Sequence, residues 1–410
     1  MSSLSDLIGL GVLTSVVPRE VVDDVIEECG KRARRSGGSL SSHVVFYFVM
    51  APALYAGDDY EAVLEHLAGA LAAFGGWDDD WLPPTSGGLT QARARLGPEP
   101  VRGVFGQVAV PVATEGTPGA FLFGRRLVAM DGMVFDVPDT PADDEAFGRP
   151  SAGAFPRVRA TTLSEVGSQC TLHAVLGPVV GKGAGERTAA WESASAVSAD
   201  MLLPADAGFH SFDLWCGLDD DGASMIWRIG DTMSLPNIAD LPDGSYLSMV
   251  FAQGVTAPAR RAPSAAAAGG GESCERAGDF RLVRVVEYYV DDRGPASRGD
   301  KTPICVITNL IDPAEAPAAR IAWAYGQRWE HGGANAQIKT GLRGPGAILR
   351  SHSPDMVRQE IYGYLLTHYA LRALICRAAT AADLDPARIK YTATVKKIRQ
   401  RITAGRDFSP

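Results

Sequence analysis

Two aspartates in this chain stand where apolar runs give out. Asp131 follows the run Leu127 to Met130 and precedes Gly132, and Asp206 closes Met201-Leu-Leu-Pro-Ala ahead of Ala207 and Gly208. A strand that ends on a carboxylate presents it at the rim of a sheet. Two such carboxylates brought together are what a pair of Mg²⁺ or Mn²⁺ ions, about 3.5–4 Å apart, needs to activate a water and stabilise the leaving oxygen of a phosphodiester. An Asp beside a Gly is also a common turn residue, so spacing alone leaves both readings open.

A third group lies far downstream. Tyr325-Gly-Gln-Arg328-Trp-Glu330, followed by Lys339, puts Tyr325 and Arg328 one turn apart on a helix, with Lys339 three turns beyond Arg328. Such a face can follow a nucleic-acid backbone, Arg and Lys neutralising phosphates and Tyr donating a hydrogen bond. An ordinary charged surface helix would show the same spacing.

The elements that must position these groups can be read from periodicity. The first hundred residues are helical in pattern. Val21, Val22, Val25, Ile26 and Cys29 keep one apolar stripe after Pro18, and Tyr60, Val63, Leu64, Leu67, Leu71 and Phe74 keep another. Trp77 to Gly88 predicts a loop, and Thr90-Gln-Ala-Arg-Ala-Arg-Leu-Gly a short helix offering Arg93 and Arg95 as DNA contacts. From Leu127 the texture becomes short apolar runs bounded by Gly and Pro, with helical stretches such as Thr188 to Ala199 between them, which is α/β patterning. Between Ile229 and Pro303 the runs Tyr246 to Phe251 and Phe280 to Val290 predict a β-rich insertion, with Ser264 to Gly271 as a flexible loop inside it. After Pro317 the pattern is helical through Lys339. A Gly-rich turn at Gly341 to Gly346 then precedes a long helix from about Ser353 to Ala379 and a basic helix over Tyr391 to Arg406.

Composition bounds the function. With 46% hydrophobic and 21% charged residues the 410-residue chain is ordinary globular protein, long enough for two or three packed units. The longest apolar run, Val44 to Ala56, is too short for a bilayer and contains Pro52. The first residues carry no secretion signal, so the expected compartment is the cytoplasm. Six cysteines without a C-x-x-C pair predict reduced thiols rather than a zinc site or disulfides. The net charge of −9 is unevenly spread: residues 320–410 hold 15 Lys/Arg against 6 Asp/Glu, a net +9, which leaves 24 against 42, a net −18, for residues 1–319. The positive end points to an anionic partner, with Lys396 and Lys397 as contacts; a solvated helical face gives the same count.

Taken together, these segments resemble the DDE transposases of bacterial insertion sequences, specifically insertion sequence family four. The resemblance runs through Gly9-Leu-Gly-Val-Leu-Thr with Val17-Pro-Arg, Thr90-Gln-Ala-Arg-Ala-Arg-Leu-Gly, Asp131-Gly with Asp136-Val-Pro-Asp-Thr, Ala146-Phe-Gly-Arg-Pro, Gly185-Glu-Arg-Thr, Ala205-Asp-Ala-Gly-Phe and Leu342-Arg-Gly-Pro-Gly-Ala. It implies a ribonuclease H-like catalytic domain with a β-rich insertion, preceded by an all-helical N-terminal domain and followed by a helical C-terminal region. The boundaries are 1–120, 121–340 with the insertion at about 230–302, and 341–410. It implies that Asp131 and Asp206 are metal ligands for Mg²⁺ or Mn²⁺, that Tyr325, Arg328 and Lys339 belong to a Tyr-x-x-Arg, Glu, Lys signature, and that the partner is double-stranded DNA gripped by a homodimer.

The chain departs from the family pattern at the third carboxylate. That residue should stand four after the Arg and seven before the Lys, and Gly332 stands there. Adjacent glycines in His331-Gly-Gly-Ala-Asn-Ala cost about 0.8–1.0 kcal/mol each in a helix interior, which predicts a disturbed turn. Glu330, two residues away, is rotated by roughly 200° and should point elsewhere unless the glycines reshape that turn. Ala207 occupies a place where the family usually has Arg, and Arg228-Ile-Gly-Asp-Thr-Met is less basic than its counterpart. The expectation is a metal-dependent transposase impaired in cleavage, or else a DNA-binding regulator or host-adopted protein without catalysis.

Overall fold

A computed structural model describes residues 11–32, 40–72, 84–230, 233–256, 276–277, 279–289, 303–342, 344 and 348–403. The expected loop at 264–271, positions 77–83 of the loop expected over 77–88, and half of the Gly-rich turn at 341–346 fall outside them; Ser86 to Gly88 are helix rather than loop, and Gly341 and Leu342 end a π-helical segment.

Helices occupy both ends of the chain: α1 (Arg19–Glu28), α2 (Ser42–Met50), α3 (Tyr60–Ala72), α4 (Ser86–Leu96) and α5 (Glu99–Val108) before the sheet, with α6 (Pro141–Phe147), α7 (Glu186–Ser193) and α8 (Phe212–Asp220) inside it, and α9 (Ala318–Ala336), α10 (Pro354–Ala381) and α11 (Tyr391–Thr403) after it. Sequence explains their limits. The α4 N-terminus is capped by the Thr85 hydroxyl, which accepts from the Gly88 N–H, and Gly97, at φ 73°, ends it. The run Val44 to Met50 is apolar on every side because α2 is buried on every side.

The two ends share one core. Leu13, Val22, Phe46, Leu64, Val104, Leu365, Leu371 and Ile402 all belong to it, and α10 is its axis. Gly363 permits the closest crossing: a Cβ there would stand 2.6 Å from the Val49 carbonyl oxygen, so only glycine lets α10 approach α2 this way. Arg93 is 2% exposed and donates to Gln359 Oε1 (2.9 Å) and Ser351 Oγ (3.0 Å). It ties α4 to α10, which corrects the expectation that it contacts DNA; Arg95 is exposed.

The strands are β1 (Phe121–Leu122), β2 (Arg125–Asp136), β3 (Arg157–Glu165), β4 (Thr171–Pro178), β5 (Met201–Ala205), β6 (Ser224–Arg228), β7 (Ala239–Asp240), β8 (Tyr246–Phe251), β9 (Arg276–Ala277), β10 (Phe280–Tyr288) and β11 (Ile304–Thr308). They form one mixed sheet in the order β4-β3-β2-β5-β6-β11-β10-β8-β7. β2, β5 and β6 are parallel, β3 and β11 run against them, and β4, antiparallel to β3, runs with β2. The strands between residues 230 and 302 extend this sheet beyond β11.

Side chains alternate across the sheet, as a period of two requires. Val128, Met130, Leu203, Ala205 and Trp227 face the layer holding α8. Leu127, Ala129, Leu202 and Ile226 face Ile321, Ala324 and Tyr325 of α9.

Candidate functional site

Strand register brings the two aspartates level. β2 pairs with β5 in parallel, Arg126 opposite Met201 and Leu127 opposite Leu202. The pairing ends there, and the same offset carried four residues further would match Asp131 with Asp206. By alternation both follow Leu127, Ala129 and Leu202 onto the α9 side of the sheet.

Their local settings differ from the expected pair of strand ends. Asp206 does follow the last residue of β5, where its Oδ1 accepts the Ala207 N–H at 2.9 Å and starts a 3-10 turn. Asp131 stands within β2, which continues to Asp136 because β3 stays paired with it, Asp131 opposite Thr162 and Asp136 opposite Arg157. The apolar run stopped at Met130 because the face changes neighbours there, not because the strand ends: Leu127 and Ala129 pack with α9, whereas Met133 and Phe135 pack into the helical core.

One helix holds both carboxylates. Arg328 Nη2 lies 3.5 Å from Asp206 Oδ2, and the Tyr325 hydroxyl donates to Asp206 Oδ1 at 3.5 Å. Two turns past Arg328, Asn335 Nδ2 donates to Asp131 Oδ2 at 2.9 Å, and Asp131 Oδ1 accepts the Gly132 N–H at 2.8 Å. Arg328 also lies over the Tyr325 ring, 5.4 Å from its centroid. Tyr325 is 1% exposed, and burial pushes its hydroxyl pKa above the ordinary value of 10, against the pull of Arg328. Tyr325 and Arg328 are therefore turned onto an aspartate, and the tyrosine lies under the surface.

The helix runs on through the glycines. α9 continues to Ala336 and passes into a π-helical segment, Gln337–Leu342, so the disturbance appears five residues after Gly332. Buried Ala334 and Ile338 anchor the far side of the glycine pair, which offsets their helix cost. Position 332 is four residues after Arg328 and three before Asn335, within about 60° of both around the axis, so it faces the aspartates. Lys339 is half-buried within the π-helical segment. The side chain of Glu330 lies outside the described residues.

Lys396 and Lys397 are not part of this cluster. They are exposed on α11, whose opposite face, Val395, Ile398 and Ile402, packs into the helical core.

Asn335 is the residue that sequence reading missed. It stands seven after Arg328, the spacing that returns to the same side of a helix, and that was the available signal. It is 6% exposed and its Oδ1 has no hydrogen-bond partner among the described residues. Two carboxylates and an unused amide oxygen form an all-oxygen donor set, which suits a hard divalent cation such as Mg²⁺ or Mn²⁺. Among the described residues no cluster of three or more His, Cys, Asp or Glu could hold a metal ion, and the five described cysteines are not joined in disulfides. No described helix is long and apolar enough to cross a membrane.

Residues 7–106 match the family model described as insertion element 4 transposase N-terminal. Over 298 residues the chain is 26% identical to transposase InsG for insertion sequence element IS4 of Escherichia coli (strain K12), covering 71% of this chain and 61% of that one. The chain is thus similar to insertion element 4 transposases. A second relative, putative transposase InsZ of the same strain, is 30% identical over 146 residues, 34% of this chain and 48% of that protein. The chain thus spans about three fifths of the first relative and about half of the second. The fold is similar to that of the piggyBac transposase in a synaptic complex with hairpin DNA: TM-score 0.52 at 10% identity, over 96% of this chain and 79% of that one.

Proposed function

We propose that this chain is an insertion element 4 transposase, a DNA-transposition protein with a ribonuclease H-like catalytic unit, and that its strand cleavage is impaired at position 332. One observation carries the reading: two aspartates, one in β2 and one directly after the parallel β5, both tied to a helix that bears Tyr325 and Arg328. The sheet order supports it, since three antiparallel strands (β4-β3-β2) continued by two parallel ones (β5-β6) make the ribonuclease H-like arrangement.

Asp131, Asp206 and the oxygen of Asn335 are the residues that would hold Mg²⁺ or Mn²⁺, which when bound supplies Lewis acidity toward a phosphodiester. The chain's own groups do the rest. Arg328 offers its guanidinium to a phosphate at the same place where it now meets Asp206. Lys339, Lys396 and Lys397 supply further positive charge toward double-stranded DNA at element ends and target, with a homodimer holding two ends and the cytoplasm as the compartment. Position 332 contributes no carboxylate, so the negative charge that draws divalent cations is reduced.

The test is cleavage of an element-end duplex with Mn²⁺. The purified chain should leave it uncut, and Gly332→Glu should gain measurable nicking. Brisk cutting by the unaltered protein would overturn the impairment. A second reading, a DNA-binding regulator without catalysis, draws on the same missing carboxylate together with the exposed Lys396 and Lys397. It predicts end-DNA binding that survives Asp131→Ala and is lost on neutralising both lysines, with no nicking gained from Gly332→Glu.

A further inference from the structure

We propose that Asn335 supplies, through Oδ1, the third oxygen ligand of a divalent-cation site with Asp131 and Asp206, replacing the carboxylate that position 332 lacks. The inference rests on the reading of the aspartate pair given above and adds a residue to it.

Three observations converge. Buried acceptors in folded proteins nearly always find a donor, yet Asn335 Oδ1 is buried and bare while the other end of the same amide is bonded to Asp131 at 2.9 Å. An oxygen with no N–H to accept from, held beside a carboxylate, is an acceptor prepared for a cation; amide carbonyls are regular ligands of hard divalent ions. The second observation is placement. Positions 332 and 335 are about 4.5 Å apart along the helix and on the same side of it, so Asn335 reaches the space above β2 and β5 from one turn further on. The third is fixation. Ala334 and Ile338 are buried on either side, so the amide is carried by packed helix rather than by a loop. Rotation about its last side-chain bond exchanges oxygen and nitrogen without moving the backbone.

A neutral amide leaves the site one charge short of a three-carboxylate set. Cation affinity should therefore be present but weak, and raised by Gly332→Glu.

The deciding experiment is calorimetric titration of the full chain with MnCl₂ alone, no DNA present, across four variants. Asn335→Leu should weaken Mn²⁺ binding at least tenfold, and Asn335→Asp should restore it to the unaltered level or tighter. A role confined to donating an N–H to Asp131 predicts the reverse for Asn335→Asp, which has no N–H to give and repels Asp131; an aspartate variant as weak as the leucine variant overturns the proposal. Equal binding by Asn335→Leu and the unaltered chain also overturns it. If the unaltered chain fails to bind while Gly332→Glu binds, the aspartate pair stands and Asn335 is excluded. If Asp131→Ala binds Mn²⁺ as well as the unaltered chain, the aspartate reading itself fails. Thermal melting of each variant without Mn²⁺ separates loss of the ligand from loss of the fold.

Discussion

The two ends of the site are built on different principles. At the Asp206 end the carboxylate is 40% exposed and faces a guanidinium and a hydroxyl at 3.5 Å, long contacts in an open setting. At the Asp131 end the partner is a neutral amide at 2.9 Å, 6% exposed, with half of its capacity unused. The open end carries Tyr325 and Arg328. The closed end carries Gly332 and packed helix. Charge complementarity tolerates distance and water, whereas a buried amide must be placed closely or it costs stability. Each end should therefore respond to a different kind of perturbation.

The largest expected difference is in stability. Asp131→Ala strands the Asn335 amide without its acceptor and should cost about 1–3 kcal/mol in urea unfolding. Asp206→Ala releases only a partly exposed ion pair and should cost less than about 1 kcal/mol. Equal losses would mean that the closed end is not closed. Next in size is DNA affinity. Arg328→Ala should weaken end-DNA binding about tenfold and flatten its dependence on log salt by about one phosphate contact, while Asn335→Ala leaves the slope unchanged; fluorescence anisotropy at several salt concentrations reads both. Smallest is Tyr325→Phe. A hydroxyl 3.5 Å from its acceptor contributes little, so melting should shift by no more than about 0.5 kcal/mol. A larger loss would place that hydroxyl in a tighter bond than its distance indicates.

Much of this architecture was legible in advance. Met201–Ala205 and Tyr246–Phe251 are strands over the residues whose apolar runs suggested them, and the helices on Val22, Leu64 and the 353–379 stripe lie where periodicity set them. β3 was not legible. Its buried positions include Thr161, Thr162, Ser164 and Glu165, so no hydrophobic alternation marks it; Glu165 is held instead by the Ala113 N–H at 2.9 Å and by Arg126. Without β3, nothing in the sequence could extend β2 past Asp131. The aspartates themselves were legible as chemistry, but their shared level came from strand register, which one-dimensional pattern does not carry. Asn335 escaped because its spacing from Arg328 means nothing until something occupies the other side.

The joint core of the two chain ends bears on how this protein decays. Helices α1, α2, α4 and α5 pack around Pro354–Ala381, which is translated after all of them. A premature stop or frameshift upstream of that helix would leave the amino-terminal segment with its greasy surfaces bare, fit for proteolysis rather than for survival as a freestanding fragment.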